Sequence, residues 1–154
     1  MTDKSPIVSG ELDGKTDLLG WGMIVGLGTD IVEIERIEQS VPAGGDTEAL
    51  VKCRLAKRVL THAELAIFIR ATQPGRYLAK RFAAKEAAAK ALGTGIGRGV
   101  SFQHIEIANN DNGAPLISFS GGAADRLTAL GGAHAHLSIA DEKHYATATV
   151  IIES

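Results

Sequence analysis

Only one cysteine, Cys53, occurs in 154 residues. That excludes an intrachain disulfide framework and any cysteine-based zinc cluster, and it fits a reducing, cytoplasmic setting. No apolar run approaches the roughly 20 residues that a transmembrane helix needs. The N-terminus lacks the basic start and apolar core of a secretory signal, so no membrane association is expected. The formal net charge is only −2, which gives no excess of positive charge for a nucleic-acid surface. The basic residues are nevertheless uneven. From Lys52 to Lys90 they far outnumber the two acids, Glu64 and Glu86. Such a run is either a solvated helical face or a surface for phosphates or an acidic protein.

Several signatures of common chemistries are also missing. Gly26-Leu27-Gly28 follows the start of an apolar stretch, but Ile31 stands where a dinucleotide fingerprint needs its third glycine. The richer run Gly93-Thr94-Gly95-Ile96-Gly97-Arg98-Gly99 follows a helical pattern instead of leading into one, and no Walker-type sequence occurs. Among His62, His104, His134, His136 and His144 there is no pair at i, i+4 spacing. His134 and His136 share a strand face without an evident third metal ligand. No Gly-x-Ser-x-Gly elbow marks a hydrolase.

What remains is enough chain for one globular domain with a sizeable core. Residues 1–22 read as a flexible leader, and the domain runs from Met23 to Ser154. Met23–Thr29 reads as a strand, with a helix opening at Asp30, whose spacing to Glu33 matches an N-cap and capping box. Two further helices cover Thr47–Leu60 and the segment after Thr61, whose partner Glu64 completes another capping box; Pro74-Gly75 closes the latter. The long helix Arg76–Leu92 stops at Gly93. Beyond it the period becomes two. A strand from Phe102 to Ile107, a turn at Asn109–Gly113 and a strand from Pro115 to Ser120 follow. A short helix at Gly121–Leu130 precedes strands His134–Ala140 and Tyr145–Ile152. Antiparallel strands segregated from helices make this α+β, with helices packed on a small antiparallel sheet.

Within that frame one side chain is out of place. Leu78, Phe82, Glu86 and Lys90 follow one another at i, i+4 spacing, so Glu86 continues an apolar stripe. A carboxylate beside buried surface needs a cation or donors. Asp30, at a strand end, is the candidate partner. Two carboxylates suit Mg²⁺, which keeps waters and takes other ligands from substrate phosphates. Lys85, Lys90 and Arg81 stand nearby to meet the added negative charge. The plainer reading is an Asp cap and a Glu86–Lys90 surface pair worth about 0.3–0.5 kcal/mol, and spacing leaves both open.

The segments Gly26-Leu27-Gly28-Thr29-Asp30-Ile31-Val32-Glu33-Ile34-Glu35-Arg36-Ile37 and Arg81-Phe82-Ala83-Ala84-Lys85-Glu86-Ala87-Ala88-Ala89-Lys90-Ala91-Leu92-Gly93-Thr94-Gly95-Ile96 resemble the two signatures of the bacterial holo-acyl-carrier-protein synthase family. The likeness continues through Ser101–Ile107, Asn112-Gly113-Ala114-Pro115 and His136-Leu137-Ser138-Ile139. It implies a 4'-phosphopantetheinyl transferase fold and the transfer of phosphopantetheine from coenzyme A to a serine of acyl carrier protein, in fatty acid biosynthesis, with release of adenosine 3',5'-bisphosphate. It also implies that Asp30 and Glu86 hold Mg²⁺, that Glu86 or a water on the metal accepts the serine proton, and that Lys90 meets the phosphates. Lys85, Lys90, Gly93, Thr94, Gly95, Ile96, His136 and Ser138 would line the coenzyme A site, and Arg36 would contact the carrier protein, extended by Lys52–Arg58. A homotrimer with sites between subunits is implied as well. The chain departs from the pattern at Ala140-Asp141, where the family often has a histidine, in a longer Pro42–Glu48 loop, and in the leader. Two alternatives remain open here: a non-catalytic metabolite-binding α+β oligomer, and a transferase dedicated to secondary-metabolite carrier domains.

Overall fold

The computed structural model describes residues 22–154. The expected leader therefore lies, apart from Gly22, outside the described residues. In chain order the elements are β1 (Ile24–Glu33), α1 (Ile34–Glu38), α2 (Thr47–Val51), α3 (Arg54–Val59), α4 (His62–Phe68) and α5 (Pro74–Ala91). A single 3₁₀ turn (Phe102–His104) follows, then β2 (Ile105–Asn109), β3 (Pro115–Phe119), α6 (Gly121–Ala129), β4 (His134–Asp141) and β5 (Tyr145–Glu153). The α+β class is as expected, with two antiparallel sheets among the described residues, one ordered β1-β5-β4 and the other β2-β3.

Several boundaries differ from the sequence pattern for physical reasons. β1 does not stop at Thr29. Its ladder with β5 continues through Asp30↔Ala148 to Glu33↔Tyr145, and β-branched Ile31 and Val32 suit that extension. Asp30 is thus a strand residue and not a helix cap; α1 begins at Ile34 behind Glu33, whose side chain makes no capping bond. The helix expected over Thr47–Leu60 breaks at Lys52-Cys53. There the Lys52 and Cys53 amides bond back to Ala49 and Leu50, and Cys53 turns extended to start α3. Pro74 opens α5 instead of closing α4, because its fixed φ and missing donor suit the first turn. Phe102–His104 is a turn, not a strand, held by the Ser101 amide donating to His104 Nδ1 at 3.2 Å.

The core is organised by α5. On its sheet-facing side Ala83, Ala84, Ala87, Ala88 and Ala91 pack with Ala148, Val150 and Ile152 of β5. Large side chains gather on the other flank, where Ile34, Leu50, Phe68, Leu78 and Phe102 form a second cluster. The helix backbone lies directly on β1. A Cβ at Gly28 would sit 2.1 Å from Ala87 O and 2.5 Å from Ala91 N, and one at Gly26 would sit 2.2 Å from Ala91 O. The glycines of the Gly-Leu-Gly-Thr-Asp segment therefore serve helix–strand contact. The opposite sheet face is open, with Leu27 65% and Ile31 62% exposed.

Candidate active site

Alternation along β1 sends Asp30 to the same face as Gly28, under α5, while Leu27 and Ile31 point away. From above, α5 contributes Glu86 and, one turn later, Lys90. Lys90 Nζ donates to Asp30 Oδ1 at 3.1 Å and to Thr29 O at 3.0 Å. The Lys90 side chain is 51% exposed and that of Asp30 only 16%, so the pair lies at the solvent edge of the β1–α5 seam, the site's cleft. Burial pushes the Glu86 carboxyl above its ordinary range, and the Asp30 charge adds to this; Lys90 and then Arg58 pull the other way.

The structure thus brings together two carboxylates, Asp30 and Glu86, and two cations, Lys90 and the Arg58 of α3. Among the described residues no group of three or more His, Cys, Asp or Glu could hold a metal. Two mutually repelling carboxylates at a cleft mouth fit a hard dication that completes its shell with water and phosphate oxygens. The helix ends just beyond. Gly93, at φ +82°, donates to Lys90 O at 2.9 Å, and the Thr94 amide donates to Ala89 O at 3.2 Å, closing a Schellman motif. Arg126 Nε binds the last carbonyl, Leu92 O, at 2.8 Å. In the loop that follows, Ile96 is wedged between both core clusters, and a Cβ at Gly95 would meet no atom within 4 Å. The loop is pinned by its isoleucine and open at its glycine.

Other sequence candidates lie elsewhere. Lys85 does not face the cleft. Its Nζ is buried and donates to Glu64 Oε1 at 2.6 Å, Val59 O at 2.7 Å and Phe102 O at 3.2 Å. Consecutive helix residues diverge by about 100°, so the neighbour of Glu86 points into the protein. Arg81 is likewise buried, bonded to Asn109 Oδ1 at 2.8 Å with its guanidinium 4.7 Å from the centre of the Tyr77 ring. Neither is free to meet a phosphate. His136 and Ser138 stand on the exposed face of β4, alternating with Ala135, Leu137 and Ile139, which pack against the core. His136 Nε2 lies 2.8 Å from Glu153 Oε2. Within one chain they do not join Asp30 and Glu86.

Arg36 is exposed on α1, whose Ile34 and Ile37 face inward. Nearby, Ser40, Lys52, Arg54, Leu55 and Arg58 line a surface groove of about 580 Å³. Arg58 also reaches over the Phe102 ring at 5.6 Å, linking this basic groove to Glu86. Asp141 pairs with Arg76 at 2.7 Å and Lys80 at 3.7 Å, and Arg76 also binds the carbonyls of Glu142 and Lys143. Its charge is met inside the fold. The sequence pattern missed Glu64, which is read as a cap but is also the buried partner of Lys85; the only signal was an acid near an apolar run.

Residues 26–150 match the 4'-phosphopantetheinyl transferase superfamily. The chain is 82% identical over 132 residues to a holo-[acyl-carrier-protein] synthase of Shewanella woodyi, an overlap of 86% of this chain and the whole of that protein. Among solved structures it resembles the holo-[acyl-carrier-protein] synthase of Neisseria meningitidis with TM-score 0.73 and 40% identity, covering 86% of this chain and 100% of that one. It also resembles a Bacillus anthracis holo-(acyl-carrier-protein) synthase in complex with CoA (3',5'-ADP), with TM-score 0.67 and 37% identity over 86% of this chain and 98% of that one.

Proposed function

The chain belongs to the holo-[acyl-carrier-protein] synthase family of the 4'-phosphopantetheinyl transferase superfamily, and on that premise we propose that it moves 4'-phosphopantetheine from coenzyme A to a serine of an acyl carrier protein. The reaction releases adenosine 3',5'-bisphosphate, depends on Mg²⁺ and serves fatty acid biosynthesis in the cytoplasm. The catalytic unit runs from Met23 to Ser154. The observation that carries the reading is the meeting of Asp30 with Glu86 and Lys90 across the β1–α5 contact, an acid pair and a cation suited to a diphosphate.

Asp30 and Glu86 would hold Mg²⁺, which relieves their mutual repulsion. Bound there, the ion would neutralise charge on the coenzyme A diphosphate and on the departing bisphosphate. Lys90 brings a point charge to the same phosphates. Its bond to Asp30 is half exposed and therefore cheap to exchange. Glu86 stands as the acceptor for the proton of the carrier serine. As the serine Oγ–phosphorus bond forms, the phosphorus–oxygen bond to the bisphosphate breaks. The electron pair leaves on the bisphosphate and the serine proton ends on Glu86. The backbone of Gly93, Thr94, Gly95 and Ile96 lies against coenzyme A, with Gly95 offering room for close approach.

His136 and Ser138 contact coenzyme A bound at the site of a neighbouring subunit, because in their own chain they face away from α5. That arrangement goes with a homotrimer built through the open sheet face, where Leu27 and Ile31 stand exposed. Arg36 and the basic groove of Lys52, Arg54 and Arg58 receive the acidic carrier protein. Purified protein, coenzyme A and apo carrier protein should give a carrier heavier by one phosphopantetheine arm, and chelating Mg²⁺ should stop the reaction. A carrier left unmodified at saturating coenzyme A and Mg²⁺ refutes the reading.

A further inference from the structure

Lys85 is adjacent to Glu86 in the chain, yet it is 0% exposed and touches nothing in the cleft. Its three ammonium protons go to acceptors outside α5: Glu64 on α4, Val59 O at the end of α3 and Phe102 O in the 3₁₀ turn. Glu64 is itself fixed. Its Oε1 accepts from the Thr61 amide at 2.8 Å and its Oε2 from the Ile107 amide at 2.6 Å. A buried ion pair of this kind adds little net stability over an apolar pair of similar volume, and its better-attested use is to specify one arrangement among several.

α5 has a need for such specification. Its sheet-facing side is made of alanines, whose short side chains offer few knobs to resist rotation about the helix axis. Gly26 and Gly28 seat the Ala87–Ala91 turn on β1, and Leu78 packs into the second cluster; these contacts set the distance and coarse orientation of the helix and leave its fine azimuth to polar contacts. At a radius of about 6 Å, a turn of about 10° carries a side-chain end about 1 Å.

We propose that Lys85 is a positioning residue: its latch to Glu64 sets the rotation of α5 so that Glu86 faces Asp30 at the cleft mouth. The inference rests on the proposed transferase function for its rate readout, and on geometry for the rest. The test is the pair of substitutions Lys85→Met and Glu64→Gln in one chain, which removes both charges together and leaves no unpaired buried ion. Gln at position 64 still offers an acceptor to Ile107. The double variant is expected to melt within a few degrees of the wild type and to keep the KM for coenzyme A and for carrier protein. Its kcat should fall about 10–100-fold, the loss expected for a 1 Å misplacement. Its crystal structure should show the Glu86 carboxylate displaced from Asp30 relative to the wild type.

A purely structural lysine would give the opposite split: once melting is matched, kcat returns to the wild-type value. That result, or an unmoved Glu86, overturns the proposal. Should the double variant fail to fold, Glu64→Asp, which keeps the buried ion pair but shortens the latch by one methylene, carries the same two readouts with a smaller fall in kcat. If the wild-type protein transfers nothing, the proposed function fails, and the position of Glu86 still decides the latch.

Discussion

Replacing Gly28 by alanine should open the cleft by prying its two halves apart. The added Cβ would lie 2.1 Å from Ala87 O, 2.5 Å from Ala91 N and 2.9 Å from Lys90 Cβ. The two closest of these are helix backbone, so no flexible side chain can yield. Restoring ordinary contact needs α5 to retreat by about 1 Å. Gly28 lies inside β1 in extended backbone, so alanine suffers no conformational strain there and gains about 0.4–1 kcal/mol from the unfolded state. Overpacking of about 1–3 kcal/mol exceeds that gain, leaving a net loss near 1–2 kcal/mol and a Tm lower by a few degrees. Function should suffer more. Asp30 is two residues from the wedge, and Glu86 and Lys90 ride on the displaced helix, so kcat should drop about 10²-fold. Gly131→Ala is the matched control. Its φ of +79° makes alanine cost roughly 1–2 kcal/mol, while the new Cβ would meet nothing within 4 Å, so the melting point should fall without loss of transfer. Calorimetry and the carrier mass-shift assay read both. A Gly28→Ala protein that transfers at the wild-type rate would refute the reasoning, whatever its melting point.

Glu86→Gln should abolish transfer yet raise the melting point at pH 7.5. The Glu86 carboxyl is raised by burial and then by Asp30, so its contribution to stability is full below its unfolded pKa and is lost as pH rises through the folded one. Gln removes that cost, and the difference in Tm should vanish toward pH 4; a lower melting point at pH 7.5 would contradict it. Arg36→Glu should raise the KM for carrier protein severalfold and leave the KM for coenzyme A unchanged in steady-state kinetics; equal changes in both would remove Arg36 from the carrier surface. Leu27→Asp, on the open sheet face, should shift light-scattering mass from the proposed trimer to monomer and lower activity with it. An active monomer would sever that link.

The candidate site was legible in the sequence where chemistry is local. Glu86 on an apolar stripe was marked as an acid needing a partner, Asp30 at a strand end was the candidate for it, and the helix stop at Gly93 was written in its glycines. What was illegible depends on partners far along the chain. Asp30 remains in a strand because it pairs opposite Ala148, which no local pattern near Asp30 reveals. Lys85 looked like a phosphate ligand because the helix repeat cannot say that Glu64, 21 residues earlier, waits beneath it. Alternation placed His136 and Ser138 on one face of β4, but the side that α5 covers is decided by the sheet as a whole.

The alanine seam of α5 has a consequence for how the sequence can drift. Ala83, Ala84, Ala87 and Ala88 are all 0% exposed against the sheet or its flanking core, and each added methylene there has no space to enter. In a saturation mutagenesis screen, these plain residues should tolerate fewer replacements than exposed charges such as Lys57 or Arg70. The helix can vary on the side that meets water, while the side that lies on the sheet is held to the smallest side chain that is not glycine.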